Sequence, residues 1–330
     1  MSLTDRYGRS FIRTVLCFWA ITIFSFAQTT STTPAPAPTP KHFDHVLIVV
    51  LENQSYDSAI KNDLLKSLAQ KGANFSNFGN LYHYSYPNYL AMIAGSDFGT
   101  HNPQVLSDKQ RNFNDDGQHR TIGDLINWKN YAEDYPAPVN ATKPFLGDRS
   151  GRYVRKHVPF LSFRSVQNKT FHNVVGVDTH AKDNTFVGDI GSFIADPQTH
   201  PLPEYMFYSP NLDDDGHDPT FNPQVGLKKS ADWLRVFLTT WLHFDDKTWL
   251  PKDDALKRTL VIVTFDESEG NGRPERIYTV FLGDMIKPQE VQAAYNHYSV
   301  LRTIEDNFGL EPLHKNSGDG TASVITGIWK

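Results

Sequence analysis

The chain has 330 residues, 32 of them basic and 37 acidic, for a net charge of −5. That balance argues against nucleic acid as a partner, because polyanion binders concentrate positive charge. A single cysteine, Cys17, excludes a disulfide framework and leaves stability to core burial.

Residues 1–27 read as a secretory signal peptide. Arg6, Arg9 and Arg13 supply the charged start, Val15 to Ala27 the apolar run, and Ser25-Phe26-Ala27 a cleavage site. The run is shorter than the ~20 residues a spanning helix needs, so a secreted product is expected over an anchored one. No later stretch is long and apolar enough to span a membrane. Residues 28–41 form a linker that after Gln28 is Thr, Pro, Ala and Ser with a final Lys, stiff and solvated. Residues 42–330 are long enough for one large domain. Without Arg6, Arg9, Arg13 and Asp5 the balance is 29 basic to 36 acidic, or −7.

The domain opens on His45-Val46-Leu47-Ile48-Val49-Val50-Leu51, an apolar run that predicts a buried parallel strand and ends on Glu52-Asn53. Ile60, Leu64, Leu65 and Leu68 mark one helix face, closed by Gly72. Pro87 is expected to open a short apolar helix, Tyr89 to Ala94, stopped by Gly95. Thr121 and Asp124 have capping-box spacing before Leu125 and Ile126. Residues 140–171 show no period and read as an insertion bordering the active site. His172 to Val177 is a strand candidate. Tyr205 to Tyr208 is another, leading to Asn211 and then Asp213-Asp214-Asp215-Gly216-His217-Asp218. Ser230 is expected to cap a helix presenting Leu234, Phe237, Leu238 and Trp241. Leu260 to Phe265 is a strand running into Asp266-Glu267, Arg276 to Leu282 a further strand, and Ser299 to Phe308 a closing helix. This alternation predicts an α/β fold: a mainly parallel central sheet flanked by helices.

Three apolar strands ending in polar, ligand-type residues point to one site at the carboxyl edge of the sheet. The residue types suggest a divalent metal ion. Ser85, in Ser85-Tyr86-Pro87-Asn88, falls at a helix N-terminus, where free N–H groups and the dipole favour an anion such as phosphate. Alone, such a serine is more often a plain N-cap. Beside carboxylate-ended strands it becomes a candidate nucleophile, because a metal lowers a hydroxyl's pKa. Asn88, one turn further on, is expected to donate to a phosphate oxygen.

These segments resemble the phosphoesterase family that contains secreted acid phosphatases and bacterial and plant-type phospholipases C, within the alkaline phosphatase superfamily. The resemblance spans nearly all of His42 to Leu313. Its motifs are Glu52-Asn53-Gln54-Ser55-Tyr56-Asp57, Ser209-Pro210-Asn211 with Asp215-Gly216-His217-Asp218, Thr264-Phe265-Asp266-Glu267, and His297 to Glu305. The Ser85 segment is also similar to the nucleophile segment of the nucleotide pyrophosphatase branch. The resemblance implies an alkaline-phosphatase-like fold, metal ligation by Glu52 and Asn53 with Asp266 and Glu267, and nucleophilic attack by Ser85. It also implies that His217 and His297 serve the phosphate or the leaving group, with Asp215 supporting them. Dizinc members of the superfamily follow the late aspartate with histidine, whereas this chain has Glu267, which favours a harder ion.

The expected function is therefore a secreted, metal-dependent acid phosphatase that cleaves small phosphomonoesters through a phosphoserine. A phospholipase C acting on a phospholipid head group is the alternative. A phosphate- or metal-binding protein without turnover is the rival from another class. Asp213 and Asp214 read as solvated loop charges, and Glu305 and Asp306 as the solvated face of the last helix. His83, His101 and His119 carry no motif and read as surface or outer groups, while His157 is a weaker candidate for the pocket lining. Glycosylation sequons begin at Asn53, Asn74, Asn140 and Asn168; in a eukaryotic host the last three are open to glycans.

Overall fold

The computed structural model describes residues 41–101, 111–136, 140–177, 202–217, 223–269 and 275–330. The expected signal peptide, most of the linker and Asp218 lie outside the described residues. In chain order the strands are β1 (His45–Leu51), β2 (Ala73–Phe75), β3 (Phe78–Gly79), β4 (Trp128–Glu133), β5 (Arg149–Ser150), β6 (Tyr153–Val154), β7 (Val174–Val177), β8 (Tyr205–Ser209), β9 (Thr259–Phe265), β10 (Thr279–Leu282), β11 (Gln289–Val291) and β12 (Tyr295–Asn296). The α-helices are α1 (Tyr56–Ala59), α2 (Asp63–Lys71), α3 (Ser85–Ala94), α4 (Pro223–Val236) and α5 (His297–Asn307).

Eight strands form one sheet in the order β11-β2-β10-β9-β1-β8-β4-β7. The five strands from β9 to β7 all pair in parallel, and β10 alone runs antiparallel to its neighbours. The expected mainly parallel α/β sheet is thus present. Strand β1 lies at its centre between β8 and β9, and Val46 to Leu51 are buried, as continuous Val, Leu and Ile require when both faces are covered. Burying each such side chain contributes roughly 1.5–3 kcal/mol. Helix α2 packs with α4 and against β2 and β10, and α3 packs against α5. No helix among the described residues is long and apolar enough to cross a membrane.

Several elements differ from the sequence expectation. Helix α3 begins at Ser85, two residues before Pro87, because proline lacks only an N–H that the first turn leaves unpaired anyway. Gly95 ends it at φ +65, a left-handed cap that glycine adopts without a Cβ clash. Ser230 lies inside α4 rather than capping it, and its hydroxyl donates back to the Leu227 carbonyl at 3.1 Å. Thr121 and Asp124 do form a capping box, but on a 3-10 turn, Ile122–Asp124. Helix α5 begins at His297, capped by Asn296, whose side chain accepts from Ser299 N at 3.2 Å. Glu305 is fully buried rather than solvated, accepting from Leu313 N at 3.0 Å. Asn74 is buried and donates to the Tyr56 hydroxyl at 2.8 Å, so it presents no glycan site in the folded chain.

Candidate active site

The register of the central strands builds the site. Leu51 pairs with Phe265 across β1 and β9, so Glu52 and Asp266 leave the sheet side by side. The exit is fixed by backbone bonds: Asp266 N donates to Leu51 O at 2.9 Å, Glu52 N to Asp215 O at 2.8 Å, and Gln54 N to Glu267 O at 3.1 Å. Asn53 turns the chain at φ +58, a left-handed conformation that asparagine tolerates better than most residues, and its N–H donates to Asp266 Oδ1 at 3.2 Å. The loop after β8 is tied down by buried Glu133. That carboxylate accepts from Tyr208 OH at 2.8 Å, Trp233 Nε1 at 3.1 Å and Asn211 N at 3.0 Å.

Ser85, the first residue of α3, is 3 % exposed. Its Oγ lies 3.2 Å from Glu52 Oε2, 3.2 Å from Glu267 Oε1 and 3.2 Å from Lys156 Nζ. Tyr89, one turn along the same helix, donates its hydroxyl to Glu52 Oε1 at 2.7 Å. The buried His157 ring stacks on Tyr89, with ring centroids 5.0 Å apart. Its Nε2 is 3.0 Å from Glu52 Oε1 but out of line for a hydrogen bond, and its Nδ1 is 3.6 Å from Asp215 Oδ2. Burial, followed by the charge of Lys156, pushes the His157 pKa far below its ordinary value, so this ring is neutral and its carboxylate contacts are not ion pairs.

The carboxylates carry the opposite strain. Burial comes first in raising Glu52, Asp215, Asp266 and Glu267; for the last three, neighbouring carboxylate charge follows, and Glu267 is pushed up to about 10. Four buried acids this close cannot all ionise unless cations or protons offset them. Asp266 Oδ2, Glu267 Oε2 and Asp215 Oδ2 are buried without a hydrogen-bond donor, and His297 Nδ1 has no partner. Among the described residues no three His, Cys, Asp or Glu groups already stand at the spacing of a closed metal shell. The donor chemistry nevertheless fits an oxygen-preferring divalent cation, because undonated buried carboxylate oxygens are what such an ion satisfies.

Other predicted residues fall differently. The Asn88 amide is fully committed to the backbone entering α3. Its oxygen accepts from Leu81 N at 3.0 Å and Tyr82 N at 3.3 Å, and its nitrogen donates to Tyr82 O at 2.8 Å and Tyr84 O at 2.9 Å. Asn88 therefore braces the helix start, and the expected donation to phosphate is corrected. His297 is fully buried, its Nε2 donates to Asp266 O at 2.8 Å, and burial pushes its pKa down to about 4. It holds the Asp266 peptide, and a general-acid role at mildly acidic pH is disfavoured. Asp215 is buried, and its Oδ1 accepts from His217 N at 2.8 Å. The support expected of it thus reaches the His217 backbone rather than its ring. His217 itself is exposed.

Sequence reasoning overlooked Lys156 and Tyr89 and set His83 aside. His83 Nδ1 lies 3.2 Å from Glu267 Oε2, at the rim. Its place two residues before Ser85 was the available signal. Tyr89 had one too, four residues after Ser85 and hence on the same helix face. For Lys156 the one signal was its place beside the pocket candidate His157, in a segment whose lack of period gives no side-chain direction.

Comparisons with known proteins give the family and the fold. Residues 60–311 match the sequence model of the Phosphoesterase family. A probable acid phosphatase from Kluyveromyces lactis is 31% identical, the alignment covering 86% of this chain and 62% of the relative. A phosphate-repressible acid phosphatase from Penicillium chrysogenum is 28% identical, covering 82% and 60%. The chain thus spans about 60% of the length of these fungal relatives. A phosphatidylinositol-3-phosphatase from Mycobacterium tuberculosis is 31% identical, covering 87% of this chain and 83% of the relative. In fold, the chain is similar to a crystal structure of an alkaline phosphatase superfamily protein from Vibrio parahaemolyticus, with a TM-score of 0.53, 15% identity, and coverage of 88% and 72%. Sheet and sequence agree: the chain belongs to the phosphoesterase family, on an alkaline-phosphatase-like fold.

Proposed function

We propose that this protein is an exported, metal-dependent phosphomonoesterase that works through a phosphoserine at Ser85. The observation that carries the reading is the buried Ser85 hydroxyl set between Glu52, Glu267 and Lys156, at the N-terminus of a ten-residue helix. In the reaction, Ser85 Oγ attacks phosphorus as the ester P–O bond breaks. The serine proton passes to one of the two carboxylates facing it, and the leaving alkoxide takes a proton from a group at the rim. His217, exposed and close enough to His157 to depress its pKa, and His83, beside Glu267, are the imidazoles we assign to that step. Water then hydrolyses the phosphoserine. Glu52, Asn53, Asp266 and Glu267 would hold a divalent ion, which when bound supplies positive charge to the phosphoryl oxygens and the nucleophile.

A monoester substrate is supported by relatives described as acid phosphatases and as a phosphatidylinositol-3-phosphatase. A net charge of −5 favours a small ester over a nucleic acid. The test is a panel of an aryl monophosphate, an inositol-lipid monophosphate, a phosphocholine diester and a short oligonucleotide, each with and without chelator. The expected result is monoester cleavage that stops with chelator and returns with added divalent ion. Cleavage of the phosphocholine diester in preference to monoesters would make it a phospholipase C. Phosphate binding without turnover would make it a binding protein.

A further inference from the structure

Lys156 is the cation nearest the nucleophile among the contacts of Ser85, and three features fix it there. Its Nζ is 3.2 Å from Ser85 Oγ. Its neighbours in the 3-10 turn Arg155–His157 are anchored on both sides. The buried Arg155 guanidinium donates to Leu146 O at 3.0 Å, Asn112 Oδ1 at 2.8 Å and Leu161 O at 2.8 Å, and His157 O accepts from Ser209 Oγ at 2.6 Å, at the end of β8. The hydroxyl arithmetic supplies the third feature. An ammonium only donates, so Ser85 Oγ accepts from Lys156, and its single proton points to Glu52 or Glu267. A hydroxyl that accepts from a cation and donates to a carboxylate is polarised toward alkoxide before substrate arrives.

We propose that Lys156 is a catalytic residue whose ammonium offsets the charge that builds on Ser85 Oγ and the phosphoryl oxygens during attack, the service a second cation would give. The inference rests on Ser85 being the nucleophile. It adds no bond change, because Lys156 keeps its three protons while the Oγ–P bond forms and the ester P–O bond breaks. A point charge on a flexible stem suits this task, since it can follow the oxygen from serine to phosphoserine. A lysine that only neutralised the acidic pocket would instead contribute stability and leave the rate of phosphoryl transfer unchanged.

The experiment compares wild type, Lys156→Met and Lys156→Cys in a Cys17→Ser background, the last before and after alkylation with 2-bromoethylamine, which rebuilds the ammonium. Readouts are the single-turnover rate of phosphoryl transfer from an aryl phosphate, kcat/KM, and the melting temperature. Lys156→Met should slow phosphoryl transfer about 100- to 1000-fold, as loss of one preorganised donor does. Alkylation should restore most of the rate. A Lys156→Met rate within threefold of wild type overturns the proposal, as does a loss that alkylation leaves in place. Ser85→Ala separates this outcome from the wider reading. If Ser85→Ala still turns over, the nucleophile assignment fails. If it is inactive while Lys156→Met is normal, only the role of Lys156 fails.

Discussion

Three of the four buried acids of the site are held by a donor of their own. Glu52 receives the Tyr89 hydroxyl, Asp266 the Asn53 N–H, and Asp215 the His217 N–H. These donors leave one oxygen of Asp266 and one of Asp215 undonated, the acceptors that the proposed divalent ion would satisfy. Glu52→Gln and Asp266→Asn each remove a charge from that set. Both should weaken divalent-ion affinity at least tenfold, measured by calorimetric titration, and should leave the fold intact. Affinity equal to wild type would place the ion elsewhere. His297 supports a different expectation. Its Nε2–H is spent on Asp266 O, so His297→Ala should lower rates on alkyl and aryl phosphates by the same factor and reduce thermal stability. A loss confined to alkyl esters, which need leaving-group protonation, would return His297 to general acid.

The turn Arg155–His157 is the element on which the site depends most and that the sequence disclosed least. Arg155→Ala would leave the carbonyls of Leu146 and Leu161 without this donor and release Lys156. The expected cost is about 3 kcal/mol of stability, from lost bonds to a buried charge. Denaturant unfolding measures it, and activity should fall with it. Asn296→Ala at the head of α5 should cost about 1 kcal/mol, the usual value of an N-cap, without touching the site directly. Strands β1, β8 and β9 were legible because burial on both faces demands continuous apolar runs, and the polar residues at their exits were legible because they break those runs. Asn88 misled because an amide near a helix start serves the backbone as readily as a ligand. Lys156 was hidden because irregular segments carry no period, and only tertiary contacts say where such a residue goes. Ser230 misled for a local reason: serine inside a helix can bond back to the preceding turn.

At the scale of the whole molecule, Glu305 and His297 pull the pH dependence of stability in opposite directions. Burial, then the hydrogen bond and charge of Asp319, pushes Glu305 from 4.5 up to about 9, so the folded state holds a proton that the unfolded chain releases. Stability from this group is full below 4.5 and is lost as pH rises toward about 9. Burial pushes His297 from 6.5 down to about 4, so its stability is full above 6.5 and is lost as pH falls toward about 4. The contributions of these two groups are jointly largest on the mildly acidic side of neutral, between 4.5 and 6.5. Glu305→Gln should flatten the alkaline limb of a melting-temperature profile and leave the acid limb in place. An unchanged alkaline limb would clear Glu305 of that role. A joint contribution that is largest at mildly acidic pH suits the proposed acid phosphatase activity. It arises from α5 and the β9 exit rather than from the attacking serine.

The most direct test of the account is to trap its covalent intermediate. The protein would be mixed with an aryl phosphate and its divalent ion, quenched in acid within a turnover, digested, and mapped by mass spectrometry. The account predicts one phosphoryl group on Ser85, appearing no later than the first turnover and absent from Ser85→Ala. Rapid turnover by the wild type with no phosphoserine at position 85, and undiminished turnover by Ser85→Ala, would contradict it.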